Sequence, residues 1–220
     1  RLVSIAHTGR YSLRILPGDC ASTFRNVTEN DCVTNYGYNN DVAPIPTPSV
    51  TNDCSCITSW SPPANISQKY LLSVWVKEAQ LNASGTYTNA VVEVREIVSG
   101  SPPNLAILIN KSAIINGWQK LDYEFTIPAK PAGTPYSISL LNNSTTNNAY
   151  FDDIRVQPFN STMGCYVYDP KSLKIWSELD DRNYATIYEY DNEGVLVRVK
   201  KETEKGIMTI KETRNSFKKQ

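Results

Sequence analysis

The chain has 220 residues, 22 basic against 22 acidic side chains and 40% hydrophobic residues, enough for one β-domain of ordinary size plus something smaller. The even charge balance argues against a nucleic-acid or anionic-membrane surface, and no apolar run approaches the about 20 residues that a spanning helix needs. RLVSIAHTGR carries no signal-peptide pattern, and with no Met before Arg1 the sequence reads as a cut through a longer protein.

In chain order, SLRIL (12–16), YLLSVWVKE (70–78), AVVEVREIV (90–98), LAILIN (105–110), WQKLDYEFTI (118–127), SISLLN (137–142) and AYFDDIRVQ (149–157) read as strands. Turn clusters at 99–104, 128–135 and 142–148 separate them. Many punctuated strands with no helical period predict a β-sandwich. A long Cys- and Pro-rich insertion at 17–66 interrupts it. Four of the five cysteines lie there, Cys20, Cys32, Cys54 and Cys56. One CxC and a single histidine fit zinc poorly, so disulfides and an oxidising compartment are expected. Cys54 and Cys56 are too close to bridge each other without strain, and an odd count leaves at least one thiol free or paired outside the chain.

Composition changes near residue 160: twelve of thirteen prolines precede it, while the last 60 residues hold 11 of the basic and 10 of the acidic residues. The predicted division is a sandwich over 1–160 and a tail over 161–220. In the tail, CYVYDPKSLKIW (165–176) and IYEYDNEGVLVRV (187–199) each carry Tyr-x-Tyr-Asp, 22 residues apart, followed by a turn and alternating apolar residues. They read as β-hairpins whose apolar face needs a neighbour to pack on. The spacing predicts a short run of 22-residue repeats.

HTGRYSLRI (7–15), KYLLSVWVKE (69–78), GWQKLDYEFTIP (117–128) and AYFDDIRVQP (149–158), in that order, resemble the carbohydrate-binding-module-like jelly rolls of the galactose-binding-like group. The family's usual opening strand is absent before Arg1, and the 17–66 insertion is unusual for it. The tail resembles a YD-repeat, RHS-like element. The two together resemble the C-terminal end of very large surface or secreted proteins of Bacteroidetes-type bacteria. The resemblance implies an all-β jelly-roll sandwich followed by short YD-type hairpins, located at a bacterial cell surface or outer membrane or secreted. Export by type IX secretion is an expectation of the same resemblance. The implied partners are other domains of the same large protein, surface or secretion proteins, or glycans, with no nucleic acid.

Asp152 and Asp153 of YFDDI are the candidate metal ligands, because in the resembling jelly rolls this motif helps hold a structural Ca²⁺ in an oxygen shell. Neighbouring side chains on a strand point to opposite faces, so only one of the two is expected at any one site. The alternative is a strand-end aspartate that satisfies a turn. Trp75 and Trp118 fall at core positions of the pattern. Trp60, at the end of the insertion, and Tyr87, in the turn SGTYTN, are the candidate sugar contacts, since exposed aromatic faces stack on sugar C–H surfaces. Trp60 serves equally well as a pin holding the insertion to the sandwich. Seven Asn-x-Ser/Thr sequons, at Asn26, Asn65, Asn82, Asn110, Asn142, Asn143 and Asn160, permit a surface protein.

No catalytic motif emerges. His7 is the sole histidine, and GxSxG, HExxH and phosphate-loop patterns are absent. Asp180 and Asp181 read as a solvated turn, while Asp169 and Asp191 read as turn caps. The expected role is therefore a non-catalytic module for assembly, display or adhesion, and glycan binding is the alternative.

Overall fold

A computed structural model of the protein describes residues 2–3, 5–22, 64–98, 102–131 and 134–213. Trp60, Cys32, Cys54 and Cys56 lie outside the described residues, as does most of the 17–66 insertion. Among the described residues there is no helix; every element is a strand, and every strand pairing is antiparallel.

The first nine strands are β1 (Leu2–Val3), β2 (Ser12–Ile15), β3 (Cys20–Ser22), β4 (Gln68–Glu78), β5 (Ala90–Glu96), β6 (Ile107–Ile115), β7 (Trp118–Ile127), β8 (Tyr136–Asn142) and β9 (Ala149–Pro158). They form a six-stranded sheet in the order β1-β2-β9-β4-β7-β6 and a three-stranded sheet in the order β3-β8-β5. Alternation supplies the core between them. Leu72, Val74 and Val76 of β4 and Leu121, Tyr123, Phe125 and Ile127 of β7 join Val92 and Val94 of β5 and Tyr136 and Leu140 of β8 in one buried cluster. The result is sandwich-like.

β6 runs five residues past the expected LAILIN segment, into a two-residue hairpin at Asn116 (φ +49) and Gly117 (φ +81). Both central residues have positive φ, the type I′ geometry for which Asn-Gly is the strongest local signal.

The tail is a third sheet, a five-stranded meander of β10 (Cys165–Tyr168), β11 (Ile175–Leu179), β12 (Ala185–Tyr190), β13 (Leu196–Thr203) and β14 (Gly206–Glu212). Its first three turns begin at Asp169, Asp180 and Asp191, at 11-residue intervals. In each, the aspartate N–H donates across the turn, to the carbonyls of Lys174, Tyr184 and Val195 respectively. Their carboxylates accept from backbone N–H groups inside the same turns. Strands alternate in direction, so the 22-residue copies, Tyr166–Asp169 and Tyr188–Asp191, lie on β10 and β12, two strands apart and running the same way.

Candidate functional site at the junction of the sheets

β4 is buried on both faces. Trp75 points away from the Leu72, Val74 and Val76 face and is nevertheless 0% exposed. The tail covers it: Trp75, Ile115, Trp118 and Tyr184 form a second apolar cluster, against which Tyr150 and Ile207 pack. Trp75 and Trp118 are buried as expected, but in this outer cluster and not in the sandwich core.

A turn of the tail seats on this outer face through its backbone carbonyls. The Asp180 and Asp181 carbonyls accept from the Arg155 guanidinium of β9, the Arg182 carbonyl from the Lys120 ammonium of β7 at 2.8 Å, and the Asn183 carbonyl from the Trp75 indole N–H of β4 at 2.7 Å. Four successive carbonyls thus meet donors from three strands. The Asn183 side chain (φ +65, 0% exposed) donates to the Asp153 carbonyl at 2.9 Å and to Ser73 Oγ at 3.3 Å. The segment expected to be a solvated turn is therefore the anchor. Its polar composition concealed this, because a backbone carbonyl leaves no trace in the sequence.

Beside the anchor lies His7. The β4–β9 register shifts between Ser73 and Trp75, placing one additional residue on β9, and Asp153 there has φ +47. This bulge breaks the alternation, so both aspartates turn toward the segment at 7–8, correcting the expectation that only one faces a given site. Asp152 Oδ2 accepts the His7 backbone N–H at 2.7 Å and the Thr8 N–H at 3.4 Å, and its Oδ1 accepts the Asp153 N–H at 2.9 Å. Asp153 Oδ1 accepts from the Thr8 hydroxyl at 2.6 Å, and its Oδ2 pairs with His7 Nδ1 at 2.6 Å. The other ring nitrogen, Nε2, pairs with Glu202 Oε1 of β13 at 2.9 Å, and Glu202 Oε2 accepts the Ala185 N–H at 3.1 Å. The imidazole stacks on Trp75 at 4.0 Å between centroids.

This arrangement sets the charges. Burial works against the imidazolium, but the hydrogen bonds and charges of Asp153 and Glu202 outweigh it and push the His7 pKa up to about 9. Burial, reinforced by Asp153, pushes the Asp152 carboxyl up to about 6. A cationic ring between two carboxylates and flat on an indole is a charge-assisted, cation–π joint between sandwich and tail. Both raised values make the folded state hold protons that the unfolded chain releases, so stability falls as pH rises. The His7 contribution is fully present below pH 6.5 and is lost as pH passes 9; its size is on the order of 3 kcal/mol. Thermal melts between pH 6.5 and 9.5 are expected to drop by about 10 °C. A flat profile over that range contradicts the assignment.

The geometry also says what His7 does not do. Both ring nitrogens are held by carboxylates, with no hydroxyl or thiol on either, so His7 has no nucleophile to activate. All four oxygens of Asp152 and Asp153 accept protein hydrogen bonds, so the pair expected to ligate Ca²⁺ instead holds His7 and Thr8. Among the described residues, no group of three or more His, Cys, Asp or Glu side chains is placed to hold a metal ion. Tyr87, expected at an open turn, is 5% exposed, with its hydroxyl donating to the Gly117 carbonyl at 2.8 Å. Its ring packs in the sandwich core and presents no face to a sugar.

Comparison of the chain with protein-family models, with curated proteins and with solved structures returned no match.

Proposed function

We propose that the chain is a non-catalytic structural and interaction module of a large exported bacterial cell-surface protein: a jelly-roll sandwich carrying a short YD-type hairpin run that serves assembly, display or adhesion. The observation that carries this reading is the tail sheet, fixed by its buried joint to the sandwich and, among the described residues, unpaired along both edge strands. Tyr166 and Tyr168 on β10 are 56% and 52% exposed, and Met208 and Ile210 on β14 are 55% and 57% exposed. An open strand edge bearing large apolar side chains is a template for another strand. The occupied ring nitrogens of His7 support a non-catalytic role.

With its partner absent, such an edge pairs with itself. Sedimentation of the wild-type chain is expected to show association rising with concentration. The double variant Met208→Lys, Ile210→Lys is expected to stay monomeric at an unchanged melting temperature. A wild type that remains monomeric up to its solubility limit, or a variant that associates equally well, counts against the reading.

A further inference from the structure

We propose that the outward face of the tail sheet takes a second copy of this chain, stacked face to face across a twofold axis that runs along β12. This rests on the interaction-module reading but uses the flat of the sheet, not its edges.

One face of the tail sheet is spent on the joint. Leu179, Ala185 and Glu202 are buried there, with Glu202 on His7 and Ile207 packed against the Trp75 cluster. The residues next to these in sequence point the other way. Register links them into one row across all five strands. Tyr166 lies opposite Glu178, Glu178 opposite Thr186, Thr186 opposite Lys201, and Lys201 opposite Met208. Directly opposed residues share a face, so the whole row lies on the outward one. Both of its ends, Tyr166 and Met208, are exposed, as is Lys201.

This row is self-complementary about its midpoint, Thr186. One strand out on either side stand Glu178 and Lys201, opposite in charge; two strands out stand Tyr166 and Met208, both large and apolar. Glu178 accepts the Tyr188 hydroxyl at 3.1 Å, but among the described residues neither Glu178 nor Lys201 is in an ion pair. Two strand spacings, about 10 Å, keep them from pairing with each other. A twofold axis along β12, in the plane between two stacked tails, carries β10 over β14 and β11 over β13. Glu178 then meets the partner's Lys201, and Lys201 meets the partner's Glu178. Tyr166 meets the partner's Met208, a favourable contact of thioether and ring. An isologous interface requires this self-complementarity, whereas a partner of unrelated sequence requires none of it. Aligned sheets cross at about 30°, which displaces facing residues least near the axis, where the charges are. The sandwich lies on the opposite face of the sheet, so stacked tails leave both sandwiches outside.

Sedimentation of the 220-residue chain tests this with Glu178→Lys and Lys201→Glu made singly, combined in one chain, and mixed one to one as single variants. The wild type is expected to dimerise. Each single variant creates two like-charge contacts per dimer and should associate at least about tenfold more weakly. The combined variant and the mixture both restore opposite charges at both contacts, so both should recover the dimer. Glu178→Gln keeps an acceptor for Tyr188 and loses the charge; it should weaken the dimer several-fold, and it stands in for Glu178→Lys if that variant fails to fold. The proposal is overturned if the single variants associate as tightly as the wild type, or if neither the combined variant nor the mixture recovers the dimer. Association that survives Glu178→Lys and Glu178→Gln but is lost in Met208→Lys, Ile210→Lys overturns the stacked face and leaves the edge reading standing. A monomeric wild type overturns both.

Discussion

Replacing Glu202 by Ala is expected to destabilise the folded chain by about 3–5 kcal/mol, the cost of removing one partner from a buried ion pair. Glu202 is 2% exposed and bonds both His7 Nε2 and the Ala185 N–H. Truncation leaves a buried imidazolium with one carboxylate and a buried amide without its side-chain acceptor. At this chain length the melting temperature should fall by about 10 °C or more. The pH dependence separates a lost ion pair from a lost methylene. Above pH 9 the ring is neutral in both proteins, so the gap between wild type and variant should narrow there, whereas a pure packing defect keeps it constant.

Trp75→Ala is the second large effect, again about 3–5 kcal/mol, as for other buried aromatic truncations. The indole supplies area to the outer cluster, the N–H bond to the Asn183 carbonyl and the surface under His7. Because Trp75 faces away from the core of Leu72, Val74 and Val76, the loss should fall on the joint and not on the sandwich. Limited proteolysis is expected to cut the tail between 160 and 213 first, leaving a resistant sandwich fragment. Trp75→Phe keeps an aromatic surface and loses the donor, so it should cost roughly 1–2 kcal/mol. Simultaneous degradation of both parts in Trp75→Ala would contradict the division.

The sandwich strands were legible because each has one face on the core, and alternation records that directly: the predicted 118–127 segment coincides with β7. The tail hairpins were legible from Tyr-x-Tyr-Asp and its spacing. The joint was not, for three physical reasons. Trp75 lies on a strand buried on both faces, where alternation no longer tells which neighbour covers a side chain. The convergence of Asp152 and Asp153 depends on a bulge that no pattern in YFDDI announces. His7, Asp153 and Glu202 are separated by 146 and 195 residues in their pairings, and their union depends on how two sheets dock. HTGRYS carries no pattern that announces the joint, although its histidine is the centre of the contact. Only its being the sole histidine hinted at a special place.

His7 and Glu202 join sandwich and tail energetically. A double-mutant cycle with His7→Ala, Glu202→Ala and the pair, measured by urea unfolding at pH 6.5, tests it most directly. A coupling energy of about 1.5–3 kcal/mol is expected, declining when the cycle is repeated at pH 9.5. Additive single-mutant effects at pH 6.5, within about 0.5 kcal/mol, would contradict it.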